Sequence, residues 1–68
     1  MKLYTYVKQN DTYLYLYDRV KDISTEKEGI IRSIFIQGRT SVMVTVKFDN
    51  VTGMGGYIGK SLNNLLRI

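Results

Sequence analysis

Cysteine and histidine are both missing from this chain of 68 residues. The first absence excludes disulfides and thiolate metal sites. The second removes the commonest metal ligand and the commonest general base. Long apolar runs are missing as well, the longest being a few residues against the roughly 18–20 that a membrane-spanning helix requires. Met1-Lys2-Leu3-Tyr4-Thr5-Tyr6 has no apolar core of the signal-peptide kind and no sorting signal is visible, so the default location is cytoplasmic. No proline, internal repeat, low-complexity stretch or linker divides the chain, whose length suits one domain over residues 1–68. A domain this small buries only about 60% of the surface its unfolded chain exposes, so self-association would relieve a marginal core.

Acidic groups are scarce. Ten Lys and Arg face six Asp and Glu, a formal net charge of +4. That biases the surface toward anionic partners, although a charge of this size also serves solubility. Asp18 and Asp22 are four residues apart, which on an extended chain separates them by about 13 Å, too far to act across one bond. Glu26 and Glu28 fall in a polar stretch where solvation is their ordinary state. Thr52-Gly53-Met54-Gly55-Gly56 followed by Gly59-Lys60-Ser61 resembles a phosphate loop only in composition, because the spacing would require glycine where Met54 stands. No catalytic residue, cofactor, metal or small-molecule substrate is expected.

What is present is a β pattern. From Gly29 to Asn50, two runs of β-branched and aromatic residues flank the turn residues Gln37-Gly38-Arg39-Thr40. Val42, Val44, Val46 and Phe48 alternate with Met43, Thr45 and Lys47, the period of a strand with one buried face. A four-residue turn predicts Phe35 opposite Val42, Ser33 opposite Val44 and Ile31 opposite Val46. Arg32, Thr45 and Lys47 then share the outer face, with Arg39 at the hairpin tip.

The N-terminal part reads as another hairpin, residues 2–8 against 13–19 around Gln9-Asn10-Asp11-Thr12. Its register sets Lys8 opposite Tyr13, Tyr6 opposite Tyr15 and Tyr4 opposite Tyr17. Tyr4, Tyr6, Tyr13, Tyr15 and Tyr17 therefore share one face, with Leu3, Val7, Leu14 and Leu16 on the other. A tyrosine ladder stabilises a hairpin through cross-strand pairs, and it is also a surface type enriched at protein interfaces and on base-stacking platforms.

The polar run Ser24-Thr25-Glu26-Lys27-Glu28 is a loop, since no apolar helical run follows it. Gly29 marks a bend or bulge where a strand turns a corner. Asp49 to Gly56 is a glycine-containing loop, Tyr57 to Lys60 a short strand, and Ser61 to Leu65 one helical or 3₁₀ turn. Ser61 is its N-cap and Leu62 and Leu65 lie on one side. Leu66-Arg67-Ile68 makes the final strand.

This order resembles an SH3-like small β-barrel of about five to six antiparallel strands. The pattern that carries it is Tyr17-Asp18-Arg19-Val20-Lys21, a polar loop, Gly29-Ile30-Ile31, a hairpin ending Val46-Lys47-Phe48-Asp49, and Leu62-Asn63-Asn64-Leu65 before the last strand. Residues 13–68 are covered, with Met1 to Thr12 as an added strand and turn. Nucleic-acid-binding KOW and Tudor-like modules, peptide-binding SH3 domains and small phage or plasmid proteins share this grammar. The layout is also similar to the type II plasmid dihydrofolate reductases, whose entry motif Asp18-Arg19-Val20 matches. Their pore strand reads Val-Gln-Ile-Tyr, and here Gly56-Tyr57-Ile58-Gly59 stands in its place. The resemblance therefore implies a binding module without reductase activity.

Two functions follow as expectations. The first is protein–protein interaction or self-association through Tyr4, Tyr6, Tyr13, Tyr15 and Tyr17, of a kind that suits a phage- or mobile-element-encoded regulatory protein. The second is nucleic-acid binding, with Arg32, Arg39 and Lys47 on phosphates.

Overall fold

The computed structural model describes residues 2–9, 11–39 and 41–68; Met1, Asn10 and Thr40, the last two in the expected hairpin turns, lie outside the described residues. Among the described residues seven strands form: β1 (Tyr6–Gln9), β2 (Thr12–Tyr15), β3 (Arg19–Asp22), β4 (Glu28–Gln37), β5 (Ser41–Phe48), β6 (Met54–Ile58) and β7 (Leu65–Arg67). A 3₁₀ helix, Gly59–Asn64, joins the last two. The chain is thus all-β, as its periodicity predicts, with more strands than expected. The extra strand arises because the run 13–19 does not stay extended: Leu16 and Tyr17 turn, and Arg19 begins β3 in a different sheet.

Two antiparallel sheets result, a β1–β2 hairpin and a five-stranded sheet in the order β6-β5-β4-β3-β7. Among the described residues no ladder closes the larger sheet, and β6 and β7 are its edges. The hairpin is fastened to it through β4. Tyr4 N–H donates to the Ile34 carbonyl at 2.8 Å, and Leu3 bridges Phe35. β3 covers the first half of the same β4 edge, pairing Arg19 with Ile30 and Val20 with Gly29.

The central hairpin departs from the expected register at one point. Gln37 pairs with Ser41, so the connection is one residue shorter than the predicted turn. Ile34 therefore faces Val44, and Phe35 faces Met43. A β-bulge between Ile31 and Ser33 absorbs the offset, and beyond it Ile31 pairs with Val46 as predicted. The extra residue, Arg32, lets both Ile31 and Ile34 face inward where strict alternation would admit only one. Phe35 leaves the core for the outer face. Ser33 also lies outward, where its hydroxyl shares a hydrogen bond with that of Thr45 at 2.5 Å.

The core lies between the large sheet and the β1–β2 hairpin. Leu14 of β2 is fully buried against Val20, Ile31, Ile34, Val44 and Val46, with Phe48, Tyr57, Leu62 and Leu65 completing the cluster. Burying each such side chain stabilises by about 1.5–3 kcal/mol. Leu62 and Leu65 share this role as expected, but Ser61 is not the N-cap. The 3₁₀ helix starts at Gly59, and Ser61 Oγ bonds back to Ile58, accepting from its N–H at 2.7 Å and donating to its carbonyl at 2.8 Å. The glycine loop is likewise shorter than expected, since Met54, Gly55 and Gly56 belong to β6.

Candidate binding surface

Each member of the expected tyrosine face can now be placed. The register Tyr6–Tyr15 and Lys8–Tyr13 is observed as predicted, with Val7 opposite Leu14 on the buried side. Tyr6, Tyr13 and Tyr15 gather into one cluster. Tyr6 meets Tyr13 edge to face at 5.8 Å, faces Tyr15 at 6.0 Å, and Tyr13 stacks on Tyr15 at 6.2 Å. Such pairs contribute about 0.5–1.5 kcal/mol each beyond area burial, which helps a two-stranded hairpin that would be marginal alone. The rings stay open to solvent, with Tyr6 56%, Tyr13 45% and Tyr15 39% exposed. The cluster is both a structural ladder and an accessible surface.

Tyr4 and Tyr17 do not join it. The hairpin ends at Thr5, whose carbonyl accepts from Leu16 N–H at 2.8 Å, and the chain before it crosses to β4. Tyr4 thereby turns inward and packs, half-buried, against the core. Tyr17 adopts φ 71°, the left-handed region that a bulky side chain rarely enters. Its N–H reaches the Ile31 carbonyl at 2.9 Å, and the ring points out of the ladder. Asp18 holds this turn, its Oδ2 accepting from Tyr15 N–H at 2.9 Å and forming an ion pair with Arg67 Nε at 3.2 Å.

Cations border the aromatic cluster. Lys8 Nζ lies 5.9 Å from the centre of Tyr13, and the Arg67 guanidinium lies 5.5 Å from that of Tyr15. Arg67 comes from β7, 52 residues after Tyr15, and no local pattern links it to the tyrosines. The expected basic trio does not converge on the hairpin tip. Arg39 sits exposed at the β4–β5 turn and Arg32 exposed at the bulge. Lys47 lies six positions along β5 from Ser41, about 20 Å away, and its ammonium donates to the carbonyls of Phe48 and Val51. Its first role is to hold the β5–β6 loop.

The two aspartates weighed as a pair serve separate structures. While Asp18 binds Arg67, Asp22 is only 6% exposed and gathers the interior polar groups. Its Oδ1 accepts from Ser24 N–H at 2.8 Å and from Ser24 Oγ at 2.6 Å, and its Oδ2 accepts from the Tyr57 hydroxyl at 2.5 Å. Burial by itself pushes the Asp22 carboxyl up, but the donors from Ser24 and Tyr57 outweigh it and hold the group below its ordinary 3.8. Tyr57 is pushed up, first by burial and then by donating to that carboxylate. On the surface, Arg19 binds Asp49 at 2.7 Å and Glu28 at 3.3 Å, and its hydrogen bond lowers the Asp49 carboxyl.

A pH dependence follows from Asp22. Its folded-state proton affinity is below the unfolded one, so the unfolded chain binds more protons in acid. The stabilisation is fully present above about pH 4, the unfolded carboxyl range, and is lost as pH falls through the lower folded value. Tyr57→Phe removes one of the donors that hold that value down. The variant is expected to unfold in acid at a higher pH than the parent, which circular dichroism across an acid titration would register. An unchanged acid midpoint would mean that the Tyr57 hydroxyl has no hold on Asp22.

Among the described residues no group of three or more acidic side chains is placed to hold a metal ion, and no helix is long and apolar enough to cross a membrane. No family model, curated protein or solved structure matches the chain.

Proposed function

We propose that this protein is a non-catalytic protein-binding module whose contact surface is the Tyr6–Tyr13–Tyr15 cluster. The observation that carries the reading is the solvent exposure of three mutually packed tyrosine rings on one hairpin. Tyrosine offers a large contact area with two rotatable angles and a polar tip, so little ordering entropy opposes binding. An SH3-like architecture agrees with the strand order and with the 3₁₀ turn directly before the last strand. In this reading the β1–β2 hairpin caps the sheet on its inner face. A cytoplasmic regulatory role, with a partner protein or a second copy on the tyrosines, suits so small a domain.

One observation favours a second reading. Lys8 and Arg67 lie against the rings of Tyr13 and Tyr15, a combination of cations and stacked aromatics that also suits bases and phosphates. In this reading the cluster takes the role first assigned to Arg32, Arg39 and Lys47. Sedimentation at micromolar concentration, at low and high salt, with and without a mixed-sequence DNA duplex, separates the two. The first reading expects self-association that persists in high salt and weakens about tenfold or more in Tyr6→Ser or Tyr15→Ser. A complex with duplex that dissolves in high salt supports the second. Association indifferent to both substitutions defeats the tyrosine surface.

A further inference from the structure

The face of the large sheet that points away from the hairpin carries a second surface, made by the register itself. Leu3 bridges Phe35, Phe35 pairs with Met43, and Met43 pairs with Ile58. Residues directly opposite across antiparallel strands share a face. These four side chains therefore form one apolar row across four chain segments. The corresponding inner row is Ile34, Val44 and Tyr57, which is core. Leu3 and Ile58 at the ends are exposed, while Phe35 and Met43 lie half-buried between them. Met43 leans over Gly56, where a Cβ would come within 3.4 Å of its sulfur. The solvent face of an antiparallel sheet is ordinarily polar, so a continuous apolar row there calls for an occupant.

Charge decides which occupant. No Asp or Glu occurs in residues 1–10, 29–48 or 50–68, the segments that build the row. Lys2 adjoins Leu3, Arg39 stands in the turn above the Phe35–Met43 pair, Lys60 follows Ile58 by two positions, and Arg32 projects from the bulge. Four of the protein's six carboxylates are engaged elsewhere: Asp18 with Arg67, Glu28 and Asp49 with Arg19, and Asp22 with Tyr57. We propose that this row docks an acidic protein segment, one that sets apolar side chains on Leu3, Phe35, Met43 and Ile58 and carboxylates toward Lys2, Arg32, Arg39 and Lys60. A second copy is disfavoured, because it would bring the same cations face to face without a carboxylate between them. A lipid surface fits less well, because Phe35 and Met43 at the centre of the row are half-buried. Nucleic acid would find one aromatic ring, Phe35, in the row itself.

Methyl NMR of the whole chain tests the proposal, with a capped decapeptide alternating Glu and Leu as the probe. The Met43 and Ile58 methyl signals are expected to shift on titration, and a decapeptide alternating Lys and Leu is expected to leave them in place. Arg39→Glu, a solvent-exposed change that leaves the core untouched, is expected to weaken the Glu–Leu peptide about tenfold. Met43→Ser is expected to weaken it at least as much, with the fold checked by its Val44 and Val46 methyl signals. Absence of binding or equal binding of the two peptides would each overturn the proposal, as would shifts confined to the Tyr6, Tyr13 and Tyr15 ring signals in aromatic spectra of the same samples. So would binding to phosphatidylserine vesicles in the absence of peptide binding.

Discussion

Replacing Asp22 by alanine is expected to remove a large fraction of the protein's stability. The side chain is the shared acceptor for Ser24 N–H, Ser24 Oγ and the Tyr57 hydroxyl, so its loss strands the buried Tyr57 hydroxyl and releases the Ser24 turn. Ser24 lies in the turn that begins β4, and Tyr57 is the core residue of edge strand β6. The Asp22 backbone fixes the same turn, its carbonyl accepting from Glu26 N–H at 2.6 Å and its N–H donating to the Lys27 carbonyl at 2.8 Å. One carboxylate thus ties a turn to a strand on the far side of the sheet. Hydrogen bonds to a charged group contribute about 1.5–3 kcal/mol each, and stranding a buried partner costs about 1–3 kcal/mol more. A combined loss of about 3–5 kcal/mol meets a total stability of only ~3–10 kcal/mol for a chain of this length. Urea unfolding would read the result. Asp22→Asn, which keeps an acceptor for Ser24, is expected to fall between the parent and the alanine variant. A midpoint for Asp22→Ala equal to the parent's would remove Asp22 from the account of stability given above.

Gly29→Ala is expected to be the most damaging single-methyl change in the chain. A Cβ at position 29 would stand 2.5 Å from the Lys47 carbonyl oxygen and 2.9 Å from Phe48 Cα. Both are backbone atoms of β5, the strand to which Gly29 is paired, so no side-chain rotation relieves the clash. β4 and β5 must separate where Gly29 also pairs with Val20 of β3. Overpacking of this kind costs about 1–3 kcal/mol, more than the ~0.5–1 kcal/mol that alanine regains over glycine in a strand. The net loss corresponds to a melting temperature lower by roughly 5–15 °C in a domain this small. Gly53→Ala is the control. Nothing lies within 4 Å of a Cβ placed there, so its melting temperature is expected to stay level or rise slightly. If Gly29→Ala melts with Gly53→Ala, the close strand approach is not what selects glycine at position 29.

The same glycine shows what could be read from the residue order. Gly29 was expected to mark a bend or bulge; the bulge lies instead at Arg32, and the glycine is required by a contact with Lys47 and Phe48, far away in sequence. Local alternation did establish the two hairpins, the Tyr6–Tyr15 and Lys8–Tyr13 pairs, and the inward direction of Val44, Val46, Leu62 and Leu65. Alternation counts residues, however, and one extra residue in a strand reverses every position beyond it. That is why Phe35 was expected inside and Ile34 was found there. Tyr4 and Tyr17 were missed for a similar reason, since the hairpin pairing stops at Thr5 and Leu16 and a period-2 pattern has no term for a strand that changes partner. Asp22 gave only a weak signal, an Asp two residues before Ser24. Its burial depends on Tyr57, 35 residues away, and no local pattern encodes that distance. The row Leu3–Phe35–Met43–Ile58 depends on three registers at once and becomes visible only when all of them are known.

The hydrogen bonds between Ser61 and Ile58 bear on how the sheet ends. An edge strand is a template onto which another molecule's strand can add, and proteins often block it with proline or charge. β6 has neither, reading Met-Gly-Gly-Tyr-Ile. Ser61 supplies the block from within: its hydroxyl occupies both the N–H and the carbonyl of Ile58, the groups an incoming strand would need at that end. Strand addition at this end of the edge would first have to break both Ser61 bonds. A single serine hydroxyl thus acts as a chain terminator for the sheet, separating a surface that docks side chains from an edge that would polymerise.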